Sequence, residues 1–574
     1  PGSYAISLKN HLYVKTDLSL TGAIVSSSAA AAGVEEELTV DPITLSIFSH
    51  KFMDIAEQMG TQLRNTSVST NVKERLDFSC ALFNNKGDLV ANAPYIPVHL
   101  GSMSTCIKKQ IDLWGDQLRP GDVLVTNHPE NGGTHLPDIT VITPAFHEGK
   151  IIFYVASRCH HSDIGGSKKG SMPPNSKELW EEGAVIHSEL LVRDGVFNEE
   201  RMVELFLTEP AKYPGCSGSR RISDNLSDLK SQVSSNQKGI QIIERMIDEN
   251  SLRVTMFYMN AIQANAALSV RTKLLEIRDR FQKDVFEMTD FMDDGSRIQL
   301  KITIDATGSA VFDFNGTSPQ MYGNLNAPEA ITFSAIIYCL RCLVSEDIPL
   351  NQGCLDPVQV LIPKGSLLSP LSGAAVVAGN VMTSQRVTDT VLKAFKIQAD
   401  SQGDCNNLTF GYGGHDAETG EYIQGFGYYE TIAGGHGAGV LNGKGFHGTS
   451  GVHTNMTNTR MTDVEVFEKR YPVILRDFAI REGSGGEGKF HGGDGVVRDI
   501  QFTKPLEVSI LSERRVNQPQ GLEGGENGAR GLNHWVKKDG TVINIGGKNT
   551  VDMSIGDRVV IYTPGGAGYG ECEK

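Results

Sequence analysis

Across 574 residues the chain has no apolar run of membrane-spanning length, no GxxxxGKS/T phosphate loop, no fixed-period repeat and too few cysteines for a disulfide framework. The first absence argues against a helical membrane span, which needs about 20 consecutive apolar residues. Nine cysteines leave at least one thiol free, and a reducing cytoplasm is the simpler compartment. Cys339-Leu340-Arg341-Cys342 has no second pair and sits in an apolar helical run, so it reads as core packing rather than zinc or redox chemistry. Cys159 likewise reads as a buried strand-end residue. Positive charge is in deficit, 53 Lys and Arg against 68 Asp and Glu, for a formal charge of -15. Neither nucleic acid nor an anionic membrane surface is expected as a partner. There is no signal peptide, and the start at Pro1-Gly2-Ser3 without Met suggests a fragment or a processed chain. Gly483-Ser484-Gly485-Gly486-Glu487-Gly488 matches GxGxxG formally, but no helical pattern follows it, so the dinucleotide context is missing.

What is present points to an α+β protein large enough for two or more domains. Residues 1–40 read as an extension, with a β-like stretch from Tyr4 to Val14 and a linker-like run from Ser26 to Gly33. Residues 41–285 read as a mixed α+β region. It opens with a helix capped by Asp41, started by Pro42, striped by Phe48, Phe52, Ile55 and Met59 and stopped by Gly60, and it contains a helical stretch from about Gly239 to Arg280. Residues 286–402 form a mixed α/β middle region, with a hairpin at Ile298 to Ile304 and Ala310 to Phe314 and a buried helix from Ala330 to Leu343. Residues 403–574 are dense in glycine and turn signals and read as β-rich. His415, His436, His447 and His453 fall there and read as loop histidines.

The chemistry concentrates in two strings, Asn127 to Asp138 and Arg158 to Gly166. Between them lie two runs of β-formers, Ile139 to Phe146 and Lys150 to Ala156, around the turn-like His147-Glu148-Gly149. A turn centred near His147 or Glu148 sets Asp138 roughly opposite Arg158 and His135 roughly opposite His161. This reading brings imidazoles and carboxylates together at one hairpin end. A mixed N/O set suits Zn, Mn or Fe better than Mg or Ca. The expected ligands are His135, Asp138 and His160, with His161 and Asp163 as outer support or substitutes. The blander reading has His160 and His161 as strand-end residues satisfied by backbone. Other polar positions are also candidates to line the cavity. His99 reads as substrate-binding or as a core histidine, and Arg386 and Arg460 as carboxylate or phosphate anchors or as loop hydrogen-bonding groups. Arg75 and Asp77 read as cavity-lining or as a surface charge ladder.

Six segments carry a family resemblance: Ser69 to Ala81, Pro97 to Met103, Gly132 to Asp138, Val377 to Val381, Thr383 to Arg386, and His453 to Arg460. The chain resembles the hydantoinase B/oxoprolinase family from about Asp41 to Gly570, and within it the C-terminal half of ATP-dependent oxoprolinases. The resemblance implies a hydrolase working with a hydantoinase A-like half, fused or separate, that binds ATP with Mg and phosphorylates a lactam such as 5-oxo-L-proline. This half then opens the phosphorylated ring to give L-glutamate. Combined with the hairpin, it makes a divalent metal the activator of water, with His161, Asp163, Glu181 or Glu182 as the proton-accepting base. A homo-oligomer is expected. The resemblance leaves open an N-methylhydantoinase subunit or an acetone or acetophenone carboxylase subunit. From a different class stands a scaffold whose metal is structural.

Overall fold

The computed structural model describes residues 4–8, 11–15, 38–93, 95–344, 348–415 and 419–572. Two compact units result, residues 1–41 and 42–574. The first contains the antiparallel pair Tyr4–Leu8 and His11–Lys15. The linker-like run from Ser26 to Gly33 lies outside the described residues.

The second unit is α+β, and an antiparallel seven-stranded sheet carries the candidate site. Its order is Leu89–Asn92, Phe78–Asn84, Lys150–His160, Asp138–His147, Val123–Thr126, Glu189–Arg193 and Val196–Phe197. Cys80, Leu82, Phe153 and Val155 pack against the helices Pro42–Thr66 and Ile222–Asn250, while Ala81, Phe83, Tyr154 and Ala156 face the helix Pro97–Trp114. Because both faces are covered, Phe78–Asn84 is buried at every position instead of alternating.

Helix boundaries depart from the sequence reading where packing overrides local signals. Gly60 does not end the first helix, which runs to Thr66. A Cβ there would run into the Tyr95 ring, so the glycine serves close packing. The stretch expected from Gly239 to Arg280 is two helices, Ile222–Asn250 and Leu252–Phe281. Ser251, at φ +68°, breaks them apart and caps the second by accepting from Val254 N.

The middle region forms a four-stranded sheet, Val285–Phe291, Arg297–Ile304, Ala310–Asp313 and Val358–Leu361, whose last pair is parallel. It packs with the helices Glu329–Leu343 and Ser384–Ala394. Cys339 is buried in that core and Cys342 is exposed. The C-terminal region stacks a four-stranded sheet on a five-stranded one, with Phe410, Tyr428 and Val508 of the first meeting Ile500, Phe502 and Ile561 of the second. Among the described residues no helix is long and apolar enough to cross a membrane.

Candidate active site at the hairpin end

The hairpin forms, but its register differs from the expected one. Asp138 pairs with His160, and Arg158 pairs with Thr140. Two features cause the shift. The loop is the pair Glu148-Gly149, both at positive φ as in a type I′ turn, and a bulge at Ile152, opposite the step from Ala145 to Phe146, adds one more residue of offset. The result is a closer convergence of one set of side chains and a separation of the other.

Asp138 opens its strand and His160 ends its own, so both lie at one end of the hairpin. His135 Nδ1 stands 3.0 Å from Asp138 Oδ2. The same oxygen accepts from Thr134 Oγ1 at 2.5 Å and from His99 Nε2 at 3.2 Å. His99 comes from the first turn of the Pro97–Trp114 helix, and its Nδ1 lies 3.0 Å from Ser79 Oγ. The His135 and His160 rings are 5.0 Å apart between centroids. His160 stacks on Tyr429 at 3.9 Å, and Asn71 Nδ2 donates to its Nδ1 at 3.2 Å. Asn380 Nδ2 donates to His135 Nε2 at 3.4 Å.

The loop bearing His135 is held by backbone approach. Gly132 lies at φ +80°, and a Cβ on Gly133 would strike the Asn127 carbonyl oxygen. Arg158, fully buried, ties that loop to the sheet through Gly132 O at 2.9 Å, Thr140 Oγ1 at 2.7 Å and Ser102 Oγ at 2.6 Å.

Charge states follow from burial, since His135, Asp138 and His160 are only 0–2% exposed. Burial works to raise the Asp138 carboxyl, but the His135 and His99 rings outweigh it and hold Asp138 well below the usual carboxylate range. Burial, reinforced by His135, holds His160 well below the usual histidine range, and burial also lowers His99. Asp138 is therefore an ionised carboxylate, and the His160 and His99 rings beside it are neutral. His160 Nε2 and His135 Nδ1 have no hydrogen-bond partner, although the latter is close to Asp138. Among the described residues no three His, Cys, Asp or Glu side chains stand ready-grouped around a metal position.

The neighbours divide sharply. Asn225 Nδ2 lies 3.1 Å from His161 Nδ1 and Gln232 Oε1 lies 3.2 Å from Nε2, so both ring nitrogens are engaged on the side away from His160. Asp163 is paired with Arg220 at 3.0 Å and accepts from Gly165 N and Gly170 N. Glu182 accepts from Val376 N, Val377 N and Ser176 Oγ, while its Oε2 is buried without a partner. Burial pushes its carboxyl up to about 8, against the pull of those hydrogen bonds. Glu181 instead accepts from Lys177 N and Glu178 N at the end of the same turn.

Residues without an assigned role in the sequence complete the site. Asn71, Thr134 and Asn380 lie inside the strings that carry the family resemblance, whereas no local signal marks Tyr429. Arg75 and Asp77 are buried beside His160 rather than forming a surface ladder: Asp77 O accepts from His160 N, and Arg75 lies 5.0 Å from the Tyr429 ring centroid. Burial pushes the Asp77 carboxyl up to about 7, with Arg75 opposing. His453 is no ordinary loop histidine, since both its ring nitrogens are buried without partners.

The sequence profile of the hydantoinase B/oxoprolinase family matches residues 41–572. The chain belongs to that family. It is 61% identical over 577 residues to a 5-oxoprolinase of Saccharomyces cerevisiae, covering 100% of this chain and 44% of the relative. Against 5-oxoprolinase 1 of Arabidopsis thaliana the identity is 56%, covering 93% of this chain and 42% of the relative. The chain thus spans less than half the length of these curated relatives. The crystal structure of an ATP-dependent caprolactamase from Pseudomonas jessenii shares the fold, with a TM-score of 0.80 at 23% identity, covering 93% of this chain and 92% of that one.

In this hydantoinase B/oxoprolinase chain the two candidate anchoring arginines lie apart from the cluster's own contacts. Arg386 is buried in an ionic network, 3.3 Å from Glu513 and 3.6 Å from Asp290. Arg460 is exposed, and its backbone N donates to Arg75 O.

Proposed function

We propose that the chain is the hydantoinase B half of an ATP-dependent 5-oxoprolinase, which opens the phosphorylated lactam of 5-oxo-L-proline to L-glutamate. The observation that carries this reading is the buried convergence of His135, Asp138 and His160 in a chain 61% identical along its whole length to a 5-oxoprolinase. A partner half resembling hydantoinase A supplies ATP chemistry, in keeping with relatives more than twice this length and with the missing phosphate loop here.

The donor set suits a divalent ion such as Zn, Mn or Fe: two imidazoles, one carboxylate and a His160 Nε2 without a hydrogen-bond partner. His135, Asp138 and His160 would hold it, with His99 and Thr134 orienting the carboxylate. While the Asn71 amide donates to His160 Nδ1, the ring proton sits on Nε2. Freeing Nε2 for a cation requires that amide to turn over, so that its oxygen accepts from Nδ1–H. When bound, such an ion lowers the pKa of water and polarises an electrophile.

The reaction balances as two hydrolytic events. Water adds to the carbon bearing the phosphorylated oxygen, and the ring nitrogen takes a proton and leaves with the electrons of the C–N bond. The resulting acyl phosphate then gives up phosphate to a second water. Glu182, protonated at neutral pH, supplies the proton in this reading. The engaged nitrogens of His161 and the Arg220-paired Asp163 hold the wall behind His160 rather than offering a free lone pair.

The test is reconstitution. The purified chain hydrolyses neither ATP nor 5-oxo-L-proline, and adding a hydantoinase A half yields L-glutamate in step with ADP. Appreciable ATPase activity from the chain alone, or no glutamate from the pair, would overturn the reading.

A further inference from the structure

Behind the hairpin end lies a cavity of about 340 Å³, lined among others by Thr70, His161, Asn225, Asp228, Arg470 and Tyr471. That volume falls at the small end of small-molecule sites, roughly 300–1,000 Å³. Its wall is shared with the cluster just described. Asn71 touches His160 while Thr70 lines the cavity, and His160 faces Tyr429 while His161 lines the cavity.

The polarity of this recess is specific. Asp228, 1% exposed, spends Oδ1 on Val68 N and Ser69 N, at 3.1 and 3.4 Å, and leaves Oδ2 buried without a partner. At the exposed end Arg470 reaches Thr70 Oγ1 at 3.2 Å and Val68 O at 3.4 Å. It faces no carboxylate in any ion pair among the described residues, whereas the neighbouring Arg221 is neutralised by Asp224 at 3.1 Å. A buried acceptor on the floor and an unneutralised guanidinium at the rim match a ligand carrying both an N–H and a carboxylate.

We propose that this cavity binds a small amino or lactam acid, its carboxylate on Arg470 and its N–H on Asp228, one residue away from His160. The polarity alone carries that chemical class; naming the acid as 5-oxo-L-proline or L-glutamate rests on the function proposed above. In that case Arg470 holds the acid by its non-reacting carboxylate, and Asp228 meets the nitrogen of the C–N bond that opens.

Isothermal titration calorimetry on the full chain tests this with five probes: 5-oxo-L-proline, L-glutamate, glutarate, 2-pyrrolidinone and inorganic phosphate. At least one of the two amino-derived acids binds, and 2-pyrrolidinone, which lacks the carboxylate, does not. Arg470→Gln, a surface change, weakens the acid at least tenfold. Asp228→Asn keeps the volume and the acceptor for Val68 N and Ser69 N but turns the free oxygen into a donor. It therefore weakens the amino-derived acids and leaves glutarate unchanged. No binding of either acid, equal affinity in both variants, or tighter binding of phosphate than of either acid overturns the proposal. The two readings separate in the reconstituted enzyme. Acid binding by the parent that Arg470→Gln removes, with no glutamate from the reconstituted parent itself, overturns the proposed function and leaves the cavity assignment standing. Full glutamate production with unchanged KM in both variants does the reverse.

Discussion

At the scale of single residues the site is organised around one oxygen. Asp138 Oδ2 takes bonds from Thr134 and His99 and lies against His135, so the carboxylate has one orientation before any ligand arrives. Of these, His99 is the contact most easily removed without disturbing the hairpin, because it belongs to a separate helix. His99→Ala frees Asp138 to rotate, and loss of such an orienting partner typically lowers metal affinity or activity about 10–100-fold. Metal content after dialysis, read beside glutamate production by the reconstituted enzyme, checks this. Unchanged values of both would show that His99 is merely a core histidine.

At the scale of elements, the sequence reveals the strands but not their pairing. Runs of β-formers on either side of His147-Glu148-Gly149 mark the hairpin, while its register depends on a bulge at Ile152 that composition does not encode. For the same reason His135, Asp138 and His160 are recognisable as a group, yet the departure of His161 to the opposite side is not. Ser251 is a missed signal of another kind: an N-capping serine inside a long apolar periodicity, readable in principle. Contacts between distant elements leave no local trace at all, as with Tyr429 under His160 or Glu182 clasping Val376 and Val377. The Glu182 clasp has a pH signature. Its carboxyl rises from 4.5 to about 8, so its contribution to stability is complete below about 4.5 and is lost as pH climbs through 8. Glu182→Gln removes that titration, and the difference in Tm between variant and parent therefore moves in the variant's favour between pH 5 and pH 9. Parallel Tm curves would mean that Glu182 is ionised throughout.

At the scale of the molecule, the site is a junction. The seven-stranded sheet supplies Asp138 and His160, the middle region Asn380, and the C-terminal sandwich Tyr429. Nearby, a fully buried ionic network ties the last two regions together: Lys393 to Asp290 at 2.8 Å and to Asp400 at 2.9 Å, and Arg514 to Asp400 at 2.6 Å. Taking one partner from such a set leaves an uncompensated charge, at a cost of about 3–5 kcal/mol. Arg514→Ala should lower the denaturant midpoint accordingly, and a midpoint equal to the parent's would show that water enters the network. The chain spans less than half the length of the 5-oxoprolinases of Saccharomyces cerevisiae and Arabidopsis thaliana, and the proposed function assigns phosphorylation of the substrate to a second half. The direct test of that division of labour is L-glutamate and ADP measured together in the reconstituted enzyme carrying Asp138→Ala, with thermal melts alongside. The account predicts a folded protein that still binds ATP and forms no glutamate; a folded Asp138→Ala enzyme with full glutamate turnover would contradict it.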